Sequence, residues 1–186
     1  MTNELTMRDK ILQAAERRVR ASGFAEMSFR DVATDVGVKS ASVHYHFPTK
    51  ADLGVAIVAD YAKRFSQALE RIDTSDPMAA FDAYAALYDV ALVVDEAICL
   101  CAIMGAESIG LPQPVNDQTR AFFQMNLTWL ERLFEAHTGT PQPTLARLVV
   151  TALEGAIIVA SSAQDRSILA DVTAELRQMV ALRIKG

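Results

Sequence analysis

Two short helical patterns separated by a glycine lie near the N-terminus, and they restrict the fold more than any other feature of the chain. The first pattern follows Ser28, a residue type that commonly caps helices, and stops at Gly37. The second runs from about Ser40 to His46, because Pro48 disfavours a helical conformation in the residue before it. Two short helices joined by a tight glycine turn predict a helix-turn-helix, in which the second helix enters the major groove of DNA.

The residue types around the second pattern agree with this prediction. Lys39, Ser40, Ser42 and Tyr45 lie at the N-terminal end and on the outer face of the second helix. Their ammonium and hydroxyl groups can reach base edges or phosphates. Lys50 opens the next helix, where free backbone N–H groups and the helix dipole favour a phosphate. The alternative interpretation of the pattern alone is a helical hairpin with a polar outer face.

The charge distribution removes an objection to DNA binding. The formal net charge is -5, but residues 1–50 carry eight Lys and Arg against six Asp and Glu. The acidic excess therefore lies entirely in the rest of the chain, and the predicted helix-turn-helix is weakly basic.

The remaining sequence predicts an all-α protein of about nine helices. Hydrophobic residues make up 51% and charged residues 22% of the chain, and alternating strand patterns are scarce. The first helix covers about 6–22 and ends at Gly23. The later helices are expected at 50–72, from Pro77 onward, from Asp95 and Glu96 to about 110, and at 115–137, 144–163 and 168–184.

Other features favour a cytoplasmic location. The longest apolar runs, such as "GAIIVASSA", are shorter than a bilayer-spanning helix requires, and the N-terminus lacks the apolar segment of a signal peptide. Two cysteines do not form a disulfide framework, which is typical of a reducing compartment.

The stretch "SFRDVATDVGVKSASVHYHFPTKADL", from Ser28 to Leu53, resembles the DNA-binding signature of TetR-family transcriptional repressors. The order of predicted helices is similar to that family over essentially the whole chain. The resemblance implies a helix-turn-helix domain at 1–50 and an effector-binding and dimerisation domain at 51–186. It also implies a ligand-responsive repressor that binds a palindromic operator as a homodimer and is released by a small molecule.

The resemblance assigns roles within the signature. It implies that Arg30, Lys39, Ser40, Ala41, Ser42 and Tyr45 face bases, and that Ser28, His44 and Lys50 hold phosphates. Two positions depart from the family pattern, since His44 replaces a usual Tyr and Lys39 replaces a usual capping Ser or Thr. These departures leave open a pseudo-repressor that dimerises without binding DNA.

The last two helices are candidates for a dimer interface. The eighth is apolar nearly all round and rich in small residues, which allow close helix approach. The resemblance implies that both helices pair with their copies in a four-helix interface. The alternative is that they only close the core of one protomer. The expected interface residues are Ala152, Gly155, Ala156, Val159, Leu176, Met179 and Val180.

The middle helices carry aromatic, methionine and polar residues at helical spacing, and the resemblance implies an effector pocket there. Glu107 and Glu154 are expected as its polar groups. The alternative is an ordinary hydrophobic core. The expected pocket residues are Tyr84, Tyr88, Cys99, Met104, Glu107, Phe122, Met125, Asn126 and Trp129.

Cys99 supports a second possibility. It stands two residues from Cys101, so on a helix the two side chains point apart and are poorly placed to form a disulfide. The segment "CLCAIMGAE" is similar to a subset of the family in which a cysteine at the start of the sixth helix reacts with electrophiles and releases DNA. Against this, Ile98 replaces a glycine and the eighth helix has no lysine. Inert burial of both cysteines is the alternative.

The sequence favours no enzyme class. It has no metal-ligand cluster, no nucleophile elbow and no phosphate-binding loop. No cofactor and no membrane partner are expected. The expected partners are an operator in double-stranded DNA, a second copy of the chain and a small-molecule effector.

Overall fold

The computed structural model describes residues 5–94 and 97–185. Over these ranges the chain is all-α, which confirms the predicted fold class. The bounds of its helices, in chain order, are α1 Met7–Ser22, α2 Phe29–Val36, α3 Ser40–His46, α4 Lys50–Leu69, α5 Pro77–Asp89, α6 Leu100–Ala106, α7 Gln113–Thr138, α8 Pro143–Ala163 and α9 Ser167–Lys185.

Local capping explains why the first helices begin and end where the sequence predicts. The Ser28 hydroxyl accepts from the Asp31 N–H and opens α2. At the end of α2, Gly37 adopts the left-handed conformation with φ of 76°, which glycine does without steric cost. Thr49 and Asp52 bond reciprocally at the start of α4, with each side chain accepting from the other's N–H.

Several helix ends differ from expectation, and the sixth helix, expected to reach about 110, ends at Ala106. The fourth helix ends at Leu69 rather than Ile72, because Arg71 and Ile72 donate to carbonyls three residues back instead of four. The predicted opening of the sixth helix at Asp95 and Glu96 lies outside the described residues, and α6 begins at Leu100. A π-helical turn, Val90–Val94, follows α5.

The chain forms two compact units, which are called here the first and the second unit. The first comprises residues 1–63 and 100–121, and the second comprises residues 64–99 and 122–186. The sequence-based division after residue 50 concerns function and stays a prediction.

The first unit contains α1, α2, α3, α6 and the N-terminal part of α4. Its core consists of apolar side chains from these helices. An ion pair between Arg18 and Asp35 joins α1 to α2, with Nε and Nη2 donating to the two carboxylate oxygens at 2.6 and 2.7 Å. Its buried core residues include Ile11, Phe24, Met27, Phe29, Phe47, Leu53, Ile57, Tyr61, Leu100 and Met104.

The second unit is built around α5, α8 and α9, with the C-terminal part of α7. Its hydrophobic core includes Phe81, Phe134, Leu153 and Ile157. By length and apolar composition α8 resembles a membrane-spanning helix, which differs from the expectation that no run is long enough. Half of its most apolar window is buried inside the protein, as in the core helix of a soluble domain.

Candidate nucleic-acid interface and effector site

The turn between α2 and α3 is fixed by backbone hydrogen bonds. The Val38 N–H donates to the Ala33 carbonyl at 2.9 Å, and the Gly37 N–H donates to the Thr34 carbonyl at 3.2 Å. These two bonds form the Schellman arrangement that ends a helix at a left-handed residue. Val32 and Val43 are fully buried and belong to the core on which α2 and α3 pack. The outer face of α3 is thereby set in one orientation.

Several of the predicted DNA-contacting residues lie on this outer face. Tyr45 is 85% exposed, which is unusual for an aromatic side chain and gives it a large surface for a partner. The Lys39 side chain is exposed and makes no capping bond to α3. The exposed members of the predicted set are Arg30, Lys39, Ala41, His44 and Tyr45, and the partly buried members are Ser28, Ser40, Ser42 and Lys50.

The three predicted phosphate ligands also have partners inside the protein. Ser28 caps α2, and the His44 ring packs edge-on against Phe29 with ring centroids 4.5 Å apart. The Lys50 Nζ donates to the Ala25 carbonyl at 2.8 Å and lies 4.9 Å from the centroid of the Phe24 ring. Lys50 therefore also holds the connection between α1 and α2.

Glu107 holds the same connection from the other side. Its Oε1 accepts from the Phe24 N–H at 2.9 Å, and its Oε2 accepts from the Ala25 N–H at 3.0 Å. The carboxylate lies against Gly23, where φ is 87° and an added Cβ would stand 2.3 Å from Oε1. We call Gly23, Phe24, Ala25, Lys50 and Glu107 the α1–α2 loop contact.

The sequence predicts Glu107 as an effector residue, and this stays a prediction. In the structure both of its carboxylate oxygens accept from backbone N–H groups within the first unit, as part of the α1–α2 loop contact. Met104 is also fully buried within the first unit. The other seven predicted effector residues belong to the second unit.

A chain of polar groups runs through the buried interior of the second unit. The Tyr84 hydroxyl donates to Asn126 Oδ1 at 2.9 Å, and Asn126 Nδ2 donates to the Phe122 carbonyl at 2.9 Å. The Tyr84 and Tyr88 hydroxyls are 3.3 Å apart, and the Tyr88 hydroxyl is 3.4 Å from Glu154 Oε1. We call Tyr84, Tyr88, Asn126 and Glu154 the polar chain.

Aromatic rings surround the polar chain. Tyr84 stacks on Trp129 with centroids 5.4 Å apart and planes at 13°. Phe65 packs edge-on against Tyr84, Tyr88 and Phe122. Sequence reasoning missed Phe65 because it treated α4 as a connection, although Phe65 continues the apolar spacing of that helix. Aromatic and polar groups thus alternate around one buried carboxyl group.

Glu154 is the acidic residue of the polar chain, and it is buried in the second unit. It is 8% exposed, and burial raises the pKa of its carboxyl well above the usual value. The nearby Cys99 thiol raises the pKa of this carboxyl further. Its Oε2 atom has no hydrogen-bond partner among the described residues. Burial also raises the pKa of Tyr88 well above its usual value.

The outer faces of α8 and α9 expose large apolar side chains. Their spacing places those of each helix on one face. We call Leu148, Ile158, Val159, Met179 and Leu182 the α8–α9 surface. Of the predicted interface residues, Val159 and Met179 lie on this surface, and Ala152 and Gly155 are partly exposed. The protomer core contains the remaining three, Ala156, Leu176 and Val180.

Comparison with known proteins identifies a family match in the N-terminal region, where the helix-turn-helix lies. A family model described as bacterial regulatory proteins, tetR family, matches residues 11–57, which include all of α2 and α3. Comparison with curated protein sequences finds no match.

Solved structures resemble the chain over nearly its full length. A TetR transcriptional regulator from Legionella pneumophila has a TM-score of 0.90 and 26% identity, covering 96% of this chain and 99% of its own. A TetR-family transcriptional regulator from Agrobacterium tumefaciens has a TM-score of 0.88 and 25% identity, covering 92% and 96%. The reduced form of NemR from Escherichia coli, at 18% identity, a TM-score of 0.79 and coverage of 93% and 96%, is similar in fold.

Proposed function

Because the chain belongs to the TetR family of bacterial transcriptional regulators, we propose that it is a cytoplasmic, non-enzymatic repressor. It binds a palindromic operator as a homodimer, and a small molecule bound in the second unit releases it. The observation that carries this proposal is the exposed outer face of α3, which presents Lys39, Ala41 and Tyr45 on a short helix held by the α2–α3 turn.

DNA recognition divides between two groups of side chains. The base contacts come from the N-terminus and outer face of α3 and from Arg30 in the first turn of α2. The α3 group consists of Lys39, Ser40, Ala41, Ser42 and Tyr45. Ser28, His44 and Lys50 contact phosphates with the hydrogen-bonding capacity that their internal partners leave. Because Lys50 also holds the α1–α2 loop contact, its phosphate contact depends on the position of that loop.

Dimerisation through the α8–α9 surface supplies the second recognition helix. A palindromic operator presents two half-sites about 34 Å apart, so one protomer alone reads only half of it. Large exposed apolar side chains concentrated on two adjacent helices are typical of a protein interface. A second copy of the chain buries them in an isologous, twofold arrangement.

The effector binds among the aromatic rings and the polar chain of the second unit. Its signal reaches DNA through α6, because Leu100 follows Cys99 directly in the sequence and α6 packs on α1 in the first unit. Glu107, just after α6, holds the α1–α2 loop through two backbone N–H groups. A displacement of α6 therefore moves the loop that precedes the helix-turn-helix. The effector need only favour the non-binding state by a few kcal/mol.

Two alternatives remain as hypotheses. Electrophile sensing through Cys99 requires a reagent to reach the thiol, but Cys99 is only 2% exposed. A pseudo-repressor that dimerises without binding DNA would leave the exposed Tyr45 and Lys39 side chains without a function. No structural observation favours either alternative over the repressor proposal.

The proposal is tested by selecting bound fragments from a pool of random double-stranded DNA. We expect enrichment of an inverted repeat whose half-sites lie one helical turn apart. The same selection with Tyr45→Ala and Lys39→Ala together is expected to lose the repeat. Enrichment of no sequence by the wild-type protein would contradict the repressor proposal and favour the pseudo-repressor.

A further inference from the structure

The position of Glu154 points to a chemical class of ligand for the second unit. Glu154 is 8% exposed, yet its buried Oε2 atom has no hydrogen-bond partner among the described residues. A buried carboxyl oxygen without a partner costs free energy, and native proteins retain few such atoms. A molecule that donates a hydrogen bond to Oε2 would remove this cost.

The hydrogen bonds of the polar chain use both tyrosine protons. The Tyr84 hydroxyl donates to Asn126 Oδ1, and the Tyr88 hydroxyl donates to Glu154 Oε1. Each tyrosine hydroxyl has a single proton, so neither has another to donate to Glu154 Oε2. A ligand that donates to Oε2 would therefore compete with no tyrosine of the polar chain.

Burial raises the pKa of the Glu154 carboxyl and thereby favours its neutral form when no ligand is bound. The titratable groups that interact with it are Tyr88 and Tyr84 from α5 and Cys99 from the segment before α6, and none of these is a cation. Every arginine in the described part of the second unit is exposed. The described interior of this unit therefore provides an acid and no positive charge to balance it.

The surrounding rings complement a positive charge as well. Tyr84, Tyr88, Phe65 and Trp129 lie within one aromatic group. The face of an aromatic ring attracts a cation, and tryptophan and tyrosine do so most strongly. An anionic ligand would meet the π-electron density of the ring faces, which repels it.

We propose that the second unit binds an organic cation with an apolar body, whose protonated amine donates to Glu154 Oε2 and lies among the aromatic rings. This inference rests on the proposed effector site and specifies its ligand class. When the ammonium group binds, Glu154 becomes a carboxylate and its proton passes to solvent. The amine keeps its own protons and forms an ion pair with the carboxylate.

The experiment compares two probes of nearly equal shape, 4-phenylbutylamine and 4-phenylbutan-1-ol. Trp129 is the only tryptophan in the chain and stacks on Tyr84, so its fluorescence reports binding in this interior. We expect the wild-type protein to bind the amine about tenfold to a hundredfold more tightly than the alcohol at pH 8. Glu154→Gln keeps the shape of the side chain and removes the charge, so its affinities for the two probes should be similar.

Glu135→Gln is the matched control, because Glu135 is an exposed carboxylate on α7. This variant should keep the wild-type preference for the amine. Calorimetry of the wild-type protein in two buffers of different ionisation enthalpy gives a second readout that depends on no variant. It should show proton release when the amine binds, since burial raises the pKa of the Glu154 carboxyl.

Equal affinity of the wild-type protein for amine and alcohol would overturn the inference. So would a preference that persists in Glu154→Gln, or no response of Trp129 to either probe. Fluorescence anisotropy with operator DNA on the same protein preparations tests the repressor proposal separately from the cation inference. Intact DNA binding combined with any of these results removes the cation inference and leaves the repressor proposal standing.

Discussion

Tyr45 and Lys39 have exposed side chains, and both are proposed to contact DNA bases. Because the protomer does not bury them, their removal should leave folding intact while weakening DNA binding. We expect Tyr45→Ala or Lys39→Ala to reduce operator affinity by about 1–3 kcal/mol and to change the free energy of unfolding by less than about 0.5 kcal/mol. Fluorescence anisotropy and urea unfolding measure the two quantities.

Arg132→Ala is the control, since Arg132 is an exposed cation of α7 outside the proposed interface. It should leave operator affinity near the wild-type value. A loss of affinity in Arg132→Ala equal to that in Lys39→Ala would show that the α3 face has no special role and that only general charge matters.

The thiols give a second prediction for single residues. Cys99 and Cys101 are both buried, so N-ethylmaleimide should modify the native protein far more slowly than the urea-unfolded chain. Mass spectrometry over time measures the modification. Rapid modification of Cys99 with simultaneous release of DNA, abolished in Cys99→Ser, would instead establish electrophile sensing.

Glu107 and Glu154 illustrate what sequence reasoning misses for single residues. Both are acids within apolar helical segments, and both were expected in an effector pocket. In the structure Glu107 accepts from backbone N–H groups more than eighty positions away, and Glu154 accepts from the Tyr88 hydroxyl. Local spacing says which face of a helix a residue occupies, but its partner depends on packing between distant elements.

For the elements, the α1–α2 loop contact is the most consequential feature of the first unit. Glu107→Ala would leave the N–H groups of Phe24 and Ala25 without their acceptor, so it should lower the free energy of unfolding by about 1–3 kcal/mol. Operator affinity should fall as well, because this loop leads into α2. Urea unfolding and anisotropy check both effects. Glu26→Ala, which removes an exposed acid of the same loop, should have little effect, and equal losses in both variants would contradict the account.

The α8–α9 surface makes a prediction about assembly. Val159→Glu places a charge on a surface that the proposed dimer buries, so the variant should sediment as a monomer at micromolar concentration. Val90→Glu is a closely matched control, because Val90 is 50% exposed and Val159 is 52% exposed. Analytical ultracentrifugation measures the mass. A dimeric Val159→Glu variant would place the interface elsewhere or exclude it.

Helix boundaries were predictable where the signals are local. Ser28, Gly37 and Pro48 act on their immediate neighbours, so the bounds of α2 and α3 follow from the sequence. The π-helical turn at Val90–Val94 has no comparable signal, since "VALVV" fits a regular helix equally well. The division of α8 and α9 into buried and exposed faces also escaped prediction. Leu176 and Val180 face the protomer core, and Met179 between them does not.

For the whole molecule, Glu154 links stability to pH. In the folded protein its pKa lies well above the usual 4.5, so the folded protein holds a proton that the unfolded chain releases. The contribution of this group is fully present below about pH 4.5 and is lost as pH rises toward the raised pKa, by up to about 1.4 kcal/mol per pH unit. Urea unfolding from pH 5 to 8 should therefore show a steeper decline for the wild-type protein than for Glu154→Gln. Glu135→Gln should follow the wild-type curve, and parallel curves for all three proteins would contradict the assignment.

The architecture as a whole was more predictable than its sites. The order of capping residues, glycine turn and apolar helices predicts an all-α fold, and the similarity to solved structures extends over nearly the whole chain. The aromatic group around Glu154 depends on side chains from α4, α5, α7 and α8. Residues so far apart in sequence come together only through tertiary packing, so no local pattern identifies them as a group.

The central claim is that this protein is an operator-specific DNA-binding dimer. The most direct test is fluorescence anisotropy of the selected inverted repeat, titrated with the wild-type protein at about 50 and 200 mM salt, beside a scrambled duplex of equal length. We predict tight binding to the repeat that weakens by orders of magnitude at the higher salt, because phosphate contacts release counterions. Equal affinity for the repeat and the scrambled duplex, or no binding to either at the lower salt, would contradict the claim.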